Sequence, residues 1–152
     1  MSETHHASAV LLPAGGVLLL GPSGSGKSGL AAQLIQNNDA KLIADDRVAL
    51  KRHATKLIAR PPSSLTGKLE LRGLGIVAMP HIDEAEIVLA VDLVARGGVP
   101  RVAAENHFAH DGVAVPKLAL CAFDIATPAA ITHALAHLPT IGFNADGVYS
   151  AS

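Results

Sequence analysis

The chain has 152 residues, which is the size of one domain, and 49% of them are hydrophobic, so we expect a buried core and a single domain over residues 1–152. Its 12 basic and 13 acidic residues nearly cancel, and it has three Phe, one Tyr and no Trp, which argues against a nucleic-acid partner. No apolar run approaches the roughly 20 residues that cross a bilayer, so no membrane partner is expected. A single cysteine cannot form an internal disulfide, and we interpret the chain as a cytoplasmic protein.

The first predicted element is a short buried strand over residues 16–20, a continuous apolar run that ends at a glycine. Helical spacing follows over residues 30–35. A second buried strand over residues 41–44 leads directly into Asp45 and Asp46. A strand, a helix and a strand in this order predict a parallel pair.

The later part of the chain is predicted to be mainly extended. Strands or extended segments are predicted over residues 48–51, 56–60, 69–77, 87–93 and 113–123. Residues 96–112 are predicted to form a loop, and Pro116 argues for an edge or a bulge in the last strand. A terminal helix is predicted over residues 129–138, with Thr127 as its N-cap and Pro128 at its first position. The fold class expected is therefore α/β with a mixed sheet.

Residues 21–28, Gly-Pro-Ser-Gly-Ser-Gly-Lys-Ser, fit the P-loop pattern G-x-x-x-x-G-K-[ST] at every position. Glycines let backbone N–H groups wrap phosphates, and the helix that follows presents its unpaired N–H groups to the same anion. We expect Lys27, solvent-facing without ligand, to reach the β- and γ-phosphates of a nucleoside triphosphate, and the Ser28 hydroxyl to ligate Mg²⁺. The predicted nucleotide-binding residues are Gly21, Pro22, Ser23, Gly24, Ser25, Gly26, Lys27 and Ser28. A glycine-rich turn that matches by chance is disfavoured by the strand before it and the helix after it.

Asp45 and Asp46 follow the second predicted strand, and ligands of open α/β sheets bind beyond the carboxyl ends of strands. One carboxylate can hold Mg²⁺, while the other can take the proton from an attacking hydroxyl. An ordinary turn capped by Asp45 is the alternative interpretation.

A second informative segment, residues 67–75, reads Gly-Lys-Leu-Glu-Leu-Arg-Gly-Leu-Gly. Alternation places its first two leucines on one face and Glu70 with Arg72 on the other. Glu70 is a natural second carboxylate for Mg²⁺, which prefers oxygen ligands. A surface strand with a solvated Glu70 and Arg72 is equally compatible with the pattern.

Together these segments resemble the catalytic domain of HPr kinase/phosphorylase, a bacterial enzyme that phosphorylates a serine of the phosphocarrier protein HPr and can also remove the phosphate. The matching segments are residues 6–10, 21–28, 42–46 and 69–77, with weaker matches at 100–102 and 112–117. The Glu-Leu-Arg-Gly-Leu-Gly-Ile segment is the most diagnostic, because ordinary P-loop kinases lack it. The resemblance implies ATP and Mg²⁺ as cofactors, an HPr-like protein as partner, the P-loop core shared with phosphoenolpyruvate carboxykinases, and a homohexamer.

The resemblance also implies catalytic roles for individual residues. His6 matches the active-site histidine that precedes the phosphate loop, and Lys27 matches the phosphate lysine. Asp46, with Asp45 beside it, matches the carboxylate that accepts the proton in phosphorylation and donates it in the reverse reaction. Arg101 matches the catalytic arginine of the family.

The same comparison of motifs gives the metal ligands. Ser28 and Glu70 match Mg²⁺ ligands of the family, and Asp45 is a further candidate. Two departures are a missing N-terminal domain and Gly29, where many members have Glu. The chain therefore resembles the short form of the family that is found in some proteobacteria.

Two other functions stay open at this point. A small-molecule P-loop kinase would carry an arginine-rich lid, whereas the arginines of this chain are not clustered. A non-catalytic nucleotide sensor would be favoured if Asp45 and Asp46 pointed away from the phosphate loop. Cys121 lies in an apolar run and is interpreted as a buried, inert thiol. The histidine pairs 107/110 and 133/137 lack the further ligands that zinc requires and are interpreted as solvated.

Overall fold

The computed structural model of the protein describes residues 3–62 and 66–143. Its strands are β1 (Glu3–His5), β2 (Ala7–Leu12), β3 (Gly15–Leu20), β4 (Lys41–Ala44), β5 (Val48–His53), β6 (Lys56–Arg60), β7 (Lys68–Leu71), β8 (Gly75–Ala78), β9 (Ala85–Leu93), β10 (His107–His110) and β11 (Val113–Leu120). Its helices are α1 (Lys27–Asn37) and α2 (Thr127–Ile141), with a 3-10 turn at Arg96–Gly98. Neither of these two described helices has the length and apolar character that a membrane span requires.

The main sheet is mixed, as predicted, and β9 is its centre. The strand order is β1-β5-β6-β9-β3-β2-β4, and β11 joins β9 with β10 at its outer side. Strand β9 pairs in parallel with β3 and β11 and antiparallel with β6. Its sequence, Ala-Glu-Ile-Val-Leu-Ala-Val-Asp-Leu, is almost continuously apolar because helices or strands cover both of its faces.

The strands predicted over residues 16–20 and 41–44 correspond to β3 and β4. The prediction that they form a parallel pair is wrong, because β2 lies between them and pairs antiparallel with both. Strand β2 turns into β3 through Pro13 and Ala14, with Leu12 opposite Gly15 in the register. Proline is typical of such a turn. Because β2 is antiparallel, its beginning lies at the carboxyl ends of β3 and β4.

Both helices pack on one face of the sheet. Leu30 and Leu34 of α1 and Ile131, Leu135 and Leu138 of α2 are buried in this layer. Helix α1 lies mainly against β2 and β7, and α2 against β9 and β11. Burying a leucine or isoleucine side chain contributes about 1.5–3 kcal/mol, so this layer holds both helices against the sheet. A second core fills the opposite face, where the sheet curls on itself, and includes Leu18, Ile43, Leu50, Leu57, Ile87 and Val115.

Two further predictions need correction. Residues 96–112 are not entirely a loop, since they contain the 3-10 turn and β10, which pairs with β11. Thr127 is not the N-cap of the terminal helix: Ala126 occupies that position without a side-chain cap, and the Thr127 hydroxyl donates to the carbonyl oxygen of Cys121. The Thr127 hydroxyl therefore bonds to this carbonyl and does not cap the helix. The Asp124 carboxylate accepts a hydrogen bond from the N–H of Ala126 at 3.0 Å.

Several local predictions agree with the structure. Cys121 is buried. The extended segment of residues 69–77 is the hairpin of β7 and β8, a separate two-stranded sheet. Pro116 lies where β11 changes partner, since residues up to Pro116 pair with β10 and residues from Lys117 pair with β9. A residue without an N–H is accommodated at such a change of partner.

Candidate active site

The glycine-rich loop connects β3 to α1, and its backbone requires glycine. Gly26 has φ 94° immediately before α1 begins at Lys27. A Cβ at Gly26 would lie 2.6 Å from the Cβ of Ala122, so a larger residue is excluded by both conformation and space. The first turn of α1 has no acidic residue, and its N-cap makes no side-chain hydrogen bond. The helix therefore presents unpaired N–H groups and a positive dipole end to an anion.

Lys27 is buried, at 7% exposure, so the expectation of a solvent-facing lysine is wrong. Its ammonium donates to the carbonyl oxygens of Gly21 at 2.6 Å and Pro22 at 3.1 Å. The physical reason is local: the loop curls around the ammonium, and two carbonyl oxygens satisfy a charge that would otherwise be buried alone.

Asp45 joins four elements of the fold. Its Oδ1 accepts hydrogen bonds from the hydroxyls of Ser8 on β2, at 2.8 Å, and Ser28 on α1, at 2.6 Å. Its Oδ2 accepts the backbone N–H of Glu70 on β7 at 3.3 Å. At 8% exposure the carboxylate is buried, and three donors compensate for its lost hydration. A simple capped turn does not account for these three long-range contacts.

Asp46 has the opposite environment, since its side chain is 67% exposed. It adopts a left-handed backbone, φ 67°, which aspartate tolerates better than most residues. Its Oδ1 lies 2.9 Å from Nε2 of His6, and its N–H donates to the Ser8 hydroxyl at 3.2 Å. Adjacent aspartates thus have separate environments: one is held in a buried network, while the other faces solvent beside an imidazole.

One cavity brings together four of the predicted site residues. It has a volume of about 260 Å³, and Ser28, Asp45, Asp46 and Glu70 line it. The aspartates therefore point towards the start of the phosphate-loop helix, which removes the argument for a non-catalytic sensor. Ser8 contributes to the same network and was not predicted. Its signal in the sequence is that it is the one polar residue in the apolar strand Ala-Ser-Ala-Val-Leu-Leu.

The structure does not bring Arg101 to this cavity. Arg101 is exposed and lines a different cavity of about 350 Å³, together with Glu105, Lys117 and His133. Within the described residues it makes no hydrogen bond or ion pair with the aspartates or the phosphate loop. Its catalytic role therefore stays a prediction.

The oxygen groups that line this cavity fit Mg²⁺, which shares its ligands with phosphate and water, better than a metal ion whose ligands all come from the protein. Residues 3–62 and 66–143 contain no group of three or more His, Cys, Asp or Glu placed to hold a metal ion. Magnesium typically takes one or two carboxylates and completes its shell with phosphate oxygens and water. The hydroxyl of Ser28 and the carboxylates of Asp45 and Glu70 are oxygen groups of this kind, and all three residues line the cavity.

The fold and this site have the arrangement of a P-loop domain: a buried strand, a glycine-rich loop, a helix, and a carboxylate pair at the end of another strand of the same sheet. Residues 1–97 match the family model of the HPr serine kinase C-terminal domain, and the chain belongs to this family. The resemblance inferred from the motifs is thereby confirmed. Arg101 lies outside the matched residues.

Individual relatives agree with this assignment. The chain is similar to an HPr kinase/phosphorylase of Clostridium tetani, with 40% identity over 79 residues, which are 52% of this chain and 26% of the relative. The protein of the same description from Mycoplasma mycoides is 35% identical over 96 residues, 59% of this chain and 30% of the relative. The matched region therefore spans less than a third of these relatives.

A solved structure confirms the fold class. The HPr(Ser) kinase/phosphatase from Coxiella burnetii superposes with a TM-score of 0.76 at 27% sequence identity. The match covers 86% of this chain and 92% of that chain.

Proposed function

We propose that this chain is an ATP-dependent protein-serine kinase that phosphorylates HPr or an HPr-like phosphocarrier in regulation of the phosphotransferase system, and that it also runs the reverse, phosphorylase reaction. The observation that carries the proposal is the hydrogen bond of Asp45 to Ser28 at the start of α1, with Asp46 in the same cavity. The relatives named above are HPr kinase/phosphorylases, which supports the choice of substrate.

In the proposed site, the loop residues 21–28 bind the triphosphate of ATP through backbone N–H groups and the end of α1. Lys27 leaves the Gly21 and Pro22 carbonyls and contacts the phosphate being transferred. Ser28, Asp45 and Glu70 hold Mg²⁺, which neutralises charge on the phosphates. Asp45 also fixes the Ser28 hydroxyl, because the two atoms are already 2.6 Å apart.

Asp46 is proposed as the group that moves the proton. It is exposed enough to meet the hydroxyl of a protein substrate, whereas Asp45 is buried and accepts three hydrogen bonds from the protein. Asp46 removes the proton as the serine oxygen attacks the terminal phosphorus, and the bond to ADP breaks. In the phosphorylase direction inorganic phosphate attacks the phosphorus of phosphoserine, the bond to the serine oxygen breaks, and a protonated Asp46 gives its proton to that oxygen, so that serine and pyrophosphate are formed. His6, 2.9 Å away, orients the carboxylate.

The remaining parts of the proposal rest on the family. Residues 1–152 act as one kinase domain, Arg101 completes the site, and the chain assembles as a homohexamer. A cytoplasmic location fits the single buried cysteine, Cys121, and the phosphocarrier substrate.

The test follows transfer of label from γ-labelled ATP to HPr with Mg²⁺ present, for the parent chain and for Asp46→Asn. A matched control is Asp39→Asn, because Asp39 is also exposed with a positive φ, 57°, but lies beyond the far end of α1. We expect the parent and the control to phosphorylate a serine of HPr, and Asp46→Asn to be slower by at least about a hundredfold. Absence of labelled HPr with the parent chain would overturn the proposal.

A further inference from the structure

A second cavity borders the phosphate loop. Its volume is about 700 Å³, within the range of small-molecule sites. Its walls are loop residues 22–25, the end of β9 with the residues after it, and the segment that follows β11. It shares no lining residue with the cavity of Asp45 and Asp46.

The cavity presents polar groups that lack partners among the described residues. Asp92 is half-buried at the end of β9, and Arg96 begins the 3-10 turn that follows. Both line the cavity, yet neither forms a hydrogen bond or an ion pair with another described residue. The hydroxyl oxygen of Ser25, in the loop itself, is buried and equally unpaired within this part of the chain. The Ser25 hydroxyl is the buried group of the three, and buried polar groups are normally satisfied, so its position beside Asp92 and Arg96 on one cavity favours a ligand that supplies partners.

An aromatic ring lies at the rim of the same cavity. Phe123 is 70% exposed, although large aromatic side chains usually bury most of their surface. The ring lies against the phosphate loop, since a Cβ at Gly26 would be 3.1 Å from its Cζ atom. An exposed ring at this place offers a flat face on which a nucleobase can stack.

We propose that this cavity receives the nucleoside of ATP, with the base stacked on Phe123 and with N–H or O–H groups of the nucleoside donating to Asp92. This inference rests on the proposed kinase function. Strands β3, β9 and β11 are parallel, and their carboxyl ends meet at the edge where ligands of such sheets bind. The triphosphate then runs along the loop towards Ser28, and the nucleoside lies over the ends of β9 and β11.

Calorimetric titration with Mg²⁺-ATP and with Mg²⁺-tripolyphosphate separates the nucleoside from the phosphates. We expect Phe123→Ala to weaken ATP binding about tenfold and to leave tripolyphosphate binding unchanged. Ile125→Ala is the matched control, because Ile125 is 91% exposed two residues further on and does not line this cavity. It should change neither affinity. If Phe123→Ala lost affinity equally for ATP and tripolyphosphate, or lost no affinity for ATP, the inference would be overturned and the kinase proposal would stand. If the parent chain bound neither ligand, the kinase proposal and this inference would both fall.

Discussion

The burial of the Asp45 carboxylate predicts that its substitution lowers the stability of the fold. Substitution of its exposed neighbour, Asp46, serves as the control. Asp45→Asn preserves the size of the side chain but replaces one carboxylate oxygen by an NH₂ group. The remaining oxygen can still accept the hydroxyls of Ser8 and Ser28, now 2.8 and 2.6 Å from Oδ1. The NH₂ group then faces the backbone N–H of Glu70, so that two donors oppose each other where Oδ2 accepts at present.

The magnitude follows from the buried donor that loses its acceptor, which costs about 1–3 kcal/mol. We take a destabilisation of about 2 kcal/mol, because the two hydroxyl bonds also lose their charge assistance. For a chain of this length, that free energy lowers the melting temperature by about 4–8 °C.

The assay is thermal unfolding followed by circular dichroism, without nucleotide, for Asp45→Asn and Asp46→Asn. Asp46 is exposed and left-handed, a conformation that asparagine also tolerates, so its substitution should change stability by less than about 0.5 kcal/mol. Equal melting temperatures for the two variants would refute the reasoning that Asp45 holds the site together.

Three further substitutions test the site. Lys27→Ala should retain the fold but abolish phosphate transfer, because the cation that contacts the phosphate is gone; near-normal transfer by the folded variant would contradict the P-loop assignment. Glu70→Gln should weaken the dependence on Mg²⁺ more than the affinity for ATP, measured by titrating each at saturation of the other, since the amide lacks the negative charge. Unchanged Mg²⁺ dependence would make Glu70 a surface residue only. Gly26→Ala should lose nucleotide binding, because its Cβ would lie 2.6 Å from that of Ala122 at φ 94°, and an affinity equal to the parent's would show that the loop adapts.

The phosphate loop was predictable because its eight residues are contiguous, and because the pattern at each position follows from the local requirements of the loop. Asp45 and Asp46 were placed correctly for a similar reason: they follow an apolar strand directly, and strand ends converge at one edge of the sheet. What the sequence did not show is which aspartate is buried. That depends on Ser8, 37 residues from Asp45 along the chain, and on a strand that was not predicted.

The missed strand and the buried lysine have related causes. No strand was predicted over residues 7–12, although Pro13 and Gly15 are residues of the kind that a hairpin needs at its turn. The burial of Lys27 depends on the path of the loop around it, which no residue type reveals. Arg101 was assigned by resemblance alone, and no spacing within the chain places it near the phosphate loop.

Strand β2 begins beside the carboxyl ends of β3 and β4, where the chemistry is proposed, and this has a mechanical consequence. The segment before it, β1, is a three-residue edge strand held by β5, and it leads into His6 without a loop. Tension on the backbone before residue 3 would first peel β1 from β5 and would then draw His6 away from Asp46. The central strands would be strained only afterwards, since β2 is paired on both sides. A force applied at the amino-terminal end of the described chain would thus change the surroundings of Asp46, the group proposed to carry the proton, before it disrupts the sheet.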